Sequence, residues 1–219
     1  MHRRLESQLM NREQCKAFAD VPKDNAIDFF IECIDEYFWS DDFEDCLSLA
    51  AGPAEYDIAF VKEFNKKLDS IDTSDDMLEI ALQNITKAGV SDLISLKKLH
   101  IPFVIDKKYD LIFCVNSLHH FHNPLDLWNT IKAHSKKGTQ VLVLDLHRPD
   151  TEDVALYMSE NYSPSSSDIF KTDFYNSMLA SFTADEIVEQ LKEVELDLTV
   201  RVENTQYEGG RLLVIWGEL

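Results

Sequence analysis

Cys46-Leu47-Ser48-Leu49-Ala50 runs into Ala51-Gly52-Pro53-Ala54, and eighteen residues after Ala50 a second apolar stretch, Leu68-Asp69-Ser70-Ile71, ends at Asp72. Each stretch reads as a strand that breaks into a loop and leads to an amphipathic helix. A carboxylate at the end of the second strand can accept two hydrogen bonds from a ribose diol, as in dinucleotide-binding folds. The first loop holds one glycine, where a pyrophosphate binder shows G-x-G-x-x-G. The pair of strands therefore points to a ligand that carries a ribose and no phosphate.

The same alternation continues on both sides of this core. After Ala54, Ile58, Val61 and Phe64 are expected to face inward from a helix. After Thr73, Met77, Leu78, Ala81 and Ile85 do the same. Leu93 to Leu96 reads as a short strand. Tyr109 to Val115 reads as a longer one, apolar except for Asp110, and Gln140 to Leu146 as the next. Continuous apolar runs suit strands covered on both faces, and strands alternating with helices argue for an α/β fold with right-handed crossovers. Leu125, Trp128 and Ile131 mark a further helix, with Gly138 expected to close it. Upstream, Ile27, Phe30, Ile31, Ile34 and Phe38 recur at helical spacing behind Asp24-Asn25, a possible cap. The acids Asp41, Asp42, Glu44 and Asp45 separate that helix from the first strand.

Beyond Leu146 the alternation stops. His147 to Phe182 is polar and aromatic, and Ser163 to Ser167 reads as a flexible loop. Thr183-Ala-Asp-Glu186 is a capping box, and Ile187, Val188, Leu191 and Val194 form the stripe of the helix behind it. Leu196 to Val202 and Leu212 to Trp216, separated by Gly209-Gly210, read as an antiparallel hairpin. The expected organisation is a helical lid over 1–40 and a Rossmann-like domain over 41–219, interrupted by a lid insert over 147–182.

With 219 residues, the chain can bury a sizeable core without staples. Its 21 Lys and Arg stand against 40 Asp and Glu, a formal charge of −19. That balance opposes binding to a phosphate backbone, so no nucleic-acid partner is expected. Cys15, Cys33, Cys46 and Cys114 show no C-x-x-C spacing, which disfavours a disulfide framework or a metal knuckle. Without a signal-peptide core or an apolar run long enough to span a bilayer, the chain is expected to be soluble and cytoplasmic, with no membrane partner.

Leu47-Ser-Leu-Ala-Ala-Gly-Pro-Ala54, Ile71-Asp-Thr-Ser-Asp-Asp-Met-Leu78 and Tyr109-Asp-Leu-Ile-Phe-Cys-Val-Asn-Ser-Leu-His-His-Phe121 together resemble, in order and spacing, the motifs of class I S-adenosylmethionine-dependent methyltransferases. The resemblance covers residues 43 to 217 and lies nearest the small-molecule branch, to which Asp145-Leu-His-Arg-Pro149 and Asp173-Phe-Tyr-Asn-Ser177 are also similar. It implies a Rossmann-like, mostly parallel seven-stranded sheet with an antiparallel C-terminal strand and helices on both faces. It also implies S-adenosyl-L-methionine as cofactor and a small-molecule acceptor.

Carried over by position, the resemblance puts the methionine end of the cofactor against the backbone of Ala50, Ala51 and Gly52. It puts the ribose on Asp72, the adenine near Thr73 and Met77, and Asn116 and Ser117 below the cofactor. Three departures stand out. Ser48 replaces the usual acid of the first strand, Ala50 and Ala54 replace glycines, and Lys97-Lys98 stands where relatives place an adenine-binding acid. The alanines are tolerable in the loop where φ is negative. Lysine cannot accept a hydrogen bond.

Each candidate also has a plainer role. Asp72 suits a helix N-cap or a turn. His119, His120 and His122 are closely spaced, but with no carboxylate partner placed nearby no metal site is expected. Adjacent histidines leaving a strand should point to opposite sides, so one packs beneath the sheet. His120 is the candidate base for an acceptor that must lose a proton. Arg148 suits either a bidentate clamp on a substrate anion or a salt bridge to a neighbouring acid. Tyr175 and Asn176 are candidates for the acceptor pocket, and Trp39, Trp128 and Trp216 for packing. Two other functions stay open: a binding protein that kept the fold and lost catalysis, and a methyltransferase acting on a macromolecule.

Overall fold

The structure, a computed structural model, describes residues 1–38, 43–205 and 210–219. Five parallel strands alternate with helices: β1 (Asp45–Leu49), α3 (Glu55–Phe64), β2 (Lys67–Asp72), α4 (Asp75–Ala88), β3 (Ile94–Lys98), β4 (Tyr109–Val115), α5 (Leu125–His134) and β5 (Ser135–Leu146). Two helices, α1 (Arg12–Ala19) and α2 (Asp24–Tyr37), precede them. After β5 come α6 (Glu152–Asn161), α7 (Asp168–Ala180), α8 (Ala184–Glu193), β6 (Thr199–Asn204) and β7 (Arg211–Glu218). The sheet has seven strands in the order β3-β2-β1-β4-β5-β7-β6. β7 pairs antiparallel with both β5 and β6. This is the Rossmann-like architecture that the alternation implies.

Alternation along each strand separates two cores. Cys46, Leu111, Phe113, Leu142, Leu144 and Val214 pack against α2, α3 and α4 on one face. Leu47, Leu49, Ile112, Cys114, Val141, Val143 and Ile215 pack against α5 and α8 on the other. Period two is what sends successive side chains to opposite layers. Trp128 is fully buried and donates its indole N–H to Gln190 at 2.9 Å, while Trp216 stacks on Tyr37 at 4.3 Å. Trp39, Asp41, Asp42 and Gly209 lie outside the described residues.

Several local expectations need correction. Gly138 does not close α5, which ends at His134; its φ of +87° serves a bend within β5, near the register shift between Tyr109 and Leu111. Asp24-Asn25 does not cap α2, whose N-cap is Lys23, a residue whose side chain makes no capping hydrogen bond. In α3 the buried face is Tyr56, Asp57, Phe60 and Val61, with Ile58 and Phe64 at its margins. Val188 is exposed. The stretch 147–182 is mostly two helices, and Ser167, inside the expected loop, caps α7 by accepting from the Phe170 N–H. Among the described residues, no helix is long and apolar enough to cross a membrane.

Strand order reverses between β1 and β4. In open α/β sheets, ligands bind in the crevice beyond the strand C-termini at such a switch point. A cavity of about 1030 Å³ opens there.

Candidate active site

The floor of the cavity is made by strand ends. Ala50, Ala51 and Gly52 follow β1, Asp72 ends β2 and Thr73 follows it, Asn116 and Ser117 follow β4, and Leu146 ends β5 with His147 after it. The β1 loop is bent by residues in the left-handed region: Ala50 at φ +56°, Gly52 at +55° and Ala54 at +62°. The condition under which the alanines would be tolerated without strain, a negative φ, is therefore not met. Both occupy a conformation that glycine adopts freely and that costs a residue with a Cβ about 1–2 kcal/mol. Strain of this kind persists where the surroundings over-determine the backbone. Here Ala51 donates its N–H to the Ile71 carbonyl at 2.9 Å, and Ala54 to the Ala51 carbonyl at 3.0 Å. A Cβ added at Gly52 would meet nothing within 4 Å, so the loop leaves open space above it.

Asp72 is oriented by this loop. Its Oδ2 accepts from the Gly52 N–H and its Oδ1 from the Ser74 N–H, both at 2.8 Å. Burial pushes its pKa up, offset in part by the N–H groups of Ser74, Gly52 and Thr73. The N-cap of α4 is Ser74, which accepts from the Met77 N–H, so Asp72 is not needed for that task. Each Asp72 oxygen keeps lone-pair capacity for a further donor. Thr73 and Met77 line the same wall, with Leu99 to Pro102 opposite. Lys97 and Lys98 turn elsewhere, to Asp69 and Asp75 at 2.6 Å each.

The acid missing at Ser48 reappears on α3. Ser48 donates its hydroxyl to Asp57 Oδ1 at 2.8 Å, and Asp57 is buried beneath the loop. Burial raises its pKa to about 6, with the Ser70 and Ser48 hydroxyls offsetting part of the cost.

On the β4–β5 side, Leu118–His120 forms a short 3-10 helix, whose rotation of about 120° per residue does not send neighbouring side chains to opposite sides as a strand does. The expectation of two histidines on opposite sides fails for that reason. The rings of His119 and His120 lie 4.2 Å apart, and both line the cavity. Nor do they lack carboxylates. His119 Nδ1 is 2.5 Å from Asp145 Oδ1, and the His119 N–H donates to Asp145 Oδ2 at 2.9 Å. His120 Nδ1 is 3.1 Å from Glu6 Oε1. Burial works against a charged His119, yet the Asp145 carboxylate outweighs it and holds the pKa above the ordinary value. Asn116, itself at φ +51°, donates to the Tyr56 hydroxyl at 2.9 Å.

Three expected substrate residues sit elsewhere. Arg148 is buried with its guanidinium on Glu186 (2.7 Å) and the Ser181 carbonyl (3.2 Å), outside the cavity lining. The salt-bridge role is the one it has. Tyr175 donates to Glu152 at 3.1 Å, and Asn176 is exposed; neither lines the cavity. Helical geometry is the reason. Phe170, Asp173, Phe174, Ser177 and Met178 share one face of α7, and that face is the one lining the cavity. Asp173, missed by sequence reasoning, accepts from Gln14 Nε2 at 2.5 Å through Oδ1, while its buried Oδ2 has no hydrogen-bond partner among the described residues. Reading 168–180 as a helix would have found it. Glu6 carried no sequence signal at all.

The roof comes from the chain's start and from the insert. Gln8 to Met10, Phe18 and Val21 to Ala26 line one side, with Met158, Tyr162 and α7 on the other. Arg3 pins the start: it donates to the carbonyls of Ala180 (2.5 Å), His119 (2.9 Å) and Phe121 (3.0 Å), and its guanidinium lies 4.0 Å from the centre of the Phe182 ring.

The family described as Methyltransferase domain matches residues 24–199. A comparison with curated proteins found no match. Among solved structures, the chain is similar to a SAM-dependent methyltransferase from Aquifex aeolicus at 16% identity, covering 95% of this chain and 98% of that one, with a TM-score of 0.68. It is similar to the plantazolicin methyltransferase BpumL in complex with SAH at 15% identity, covering 94% of each chain, with a TM-score of 0.64. A putative O-methyltransferase from Nostoc punctiforme PCC 73102 gives 17% identity and a TM-score of 0.66 over 94% of this chain and 59% of that one.

Proposed function

The chain belongs to the methyltransferase domain family, with the class I fold and S-adenosylmethionine as methyl donor, and from that premise we propose that it methylates a small-molecule acceptor inside the cavity. One observation carries the reading. The Asp72 carboxylate, held by the N–H groups of Gly52 and Ser74, stands at the cavity wall beside the bent backbone of Ala50 to Gly52. That pairing fits a nucleoside whose ribose diol meets Asp72 and whose amino-acid end lies along the loop. Thr73 and Met77 flank the adenine, and Asn116 and Ser117 lie beneath the cofactor.

Transfer of a methyl group from a sulfonium is an in-line displacement, so the enzyme's main task is alignment. A cavity of about 1030 Å³ exceeds what one small ligand needs and leaves room for an acceptor beside the cofactor. Of the expected lid segments, the described residues 1–38 and 147–182 act as the lid, covering the crevice with aromatic side chains and excluding water. A crevice in a chain of charge −19 favours a small acceptor over RNA. His120 receives the acceptor's proton where methylation requires one to leave.

The test is transfer of a labelled methyl group from S-adenosylmethionine to a set of small hydroxy, amino and thiol compounds, with RNA and protein pools in parallel. Label in small molecules alone is expected. Label confined to RNA or protein would overturn the acceptor class.

A further inference from the structure

Glu6, His119 and His120 bring one carboxylate oxygen and two imidazole nitrogens within 4.8 Å of one another. His120 Nδ1 lies 3.1 Å and His119 Nε2 3.7 Å from Glu6 Oε1. At 3.1 Å a hydrogen bond is expected, yet neither Glu6 Oε1 nor His120 Nδ1, both buried, makes one with any described residue. Leaving two such atoms unsatisfied is costly. Two lone-pair atoms so close and not aligned as donor and acceptor have the arrangement of ligands that share a third centre.

The surroundings fix all three donors. The Asp145 carboxylate on His119 Nδ1 leaves Nε2 as the free nitrogen, the outer-shell arrangement common for a metal-bound histidine. Ser177 donates to Glu6 Oε2 at 3.3 Å, which leaves Oε1 for the cluster. The backbone is held too: the His122 ring is 2.7 Å from the Glu6 carbonyl, and Arg3 grips the carbonyls of His119 and Phe121.

We infer that Glu6, His119 and His120 bind a divalent first-row transition-metal ion, of the zinc class, at the cavity wall. Two imidazoles and one carboxylate suit such an ion better than magnesium or calcium, which prefer all-oxygen shells. Three protein ligands leave at least one coordination position free, as in catalytic rather than structural zinc sites. The two histidine rings are part of the cavity wall, while Glu6 Oε1 and His120 Nδ1 are buried behind it. A bound ion takes the His120 lone pair that otherwise accepts a proton. It also ties the segment carrying Glu6 to the sheet edge. This site goes beyond methyl transfer; with the ion bound His120 is a ligand, and the base role proposed above belongs to the metal-free protein.

The experiment uses the full chain, stripped with a chelator and free of cofactor and acceptor. It is titrated with Zn²⁺ near neutral pH by calorimetry, and with Co²⁺ by absorption in parallel. One ion per chain is expected, with Co²⁺ d–d bands that change in His120→Ala. Glu6→Gln and His120→Ala should each weaken Zn²⁺ binding at least tenfold, and Asp145→Asn by about 10–100-fold. Far-ultraviolet circular dichroism checks that each variant is folded. Glu6→Gln keeps the side chain's size and lies in the segment before α1, outside the sheet. No saturable binding, or equal affinity in wild type, Glu6→Gln and His120→Ala, would overturn the site. A failed titration leaves methyl transfer standing, and a failed transfer assay leaves the metal site standing.

Discussion

Ala50 and Ala54 hold the β1 loop in a conformation that glycine would enter without strain, and the two should answer differently to that replacement. Ala50 is partly exposed at the cavity, so Ala50→Gly should raise stability by about 1 kcal/mol through relief of the positive φ. Ala54 is fully buried, and losing its methyl group costs about 0.8 kcal/mol, so Ala54→Gly should be nearly neutral. Chemical denaturation of both variants measures this; a large loss at Ala50 would show that the loop is not strained there. Asp57 gives a pH signature. Its folded pKa of about 6 lies above the ordinary 3.8, so the folded state keeps a proton that the unfolded chain has released. Stability therefore falls as pH rises from about 4 to about 6, and the full cost, on the order of 2–3 kcal/mol, stays in force above that. Asp57→Asn should raise the Tm near pH 8 and give little gain near pH 4, and a gain independent of pH would contradict the assignment. Asp72 was readable from its place at a strand end. Asp57 was not, because an acid on a helix face looks like a solvated residue until its burial is known.

At the level of elements, the strands were legible because buried parallel strands are nearly continuous apolar runs. The 147–182 stretch was not. Its α7 face mixes Phe170, Phe174 and Met178 with Asp173 and Ser177, and polar residues set among the apolar ones break the stripe that marks a core helix. The same cause displaced Tyr175 and Asn176, which lie on the helix's other faces. The chain's start carried even less signal, since it is held by main-chain carbonyls that no pattern of residue types reveals. Arg3→Ala removes a charged donor from three such carbonyls, a local loss of about 2 kcal/mol. The segment before α1 should then exchange amide hydrogens faster, and the KM for the acceptor should rise more than kcat falls. Exchange unchanged in that segment would argue against its role as part of the lid.

For the molecule as a whole, the order of strands and the reversal between β1 and β4 decide where a ligand binds, and both follow from the alternation readable in the sequence. What the sequence hid was convergence. Glu6, from the chain's start, meets His119 and His120 more than a hundred residues later, and Asp145 supports them from the next strand. The central claim is that this crevice holds the methyl-donor nucleoside through Asp72. Calorimetric titration of S-adenosylhomocysteine into the wild type and Asp72→Ala tests it most directly. Binding that weakens by about 1–3 kcal/mol in the variant is the predicted result; no binding by the wild type, or equal affinity in both proteins, would contradict it.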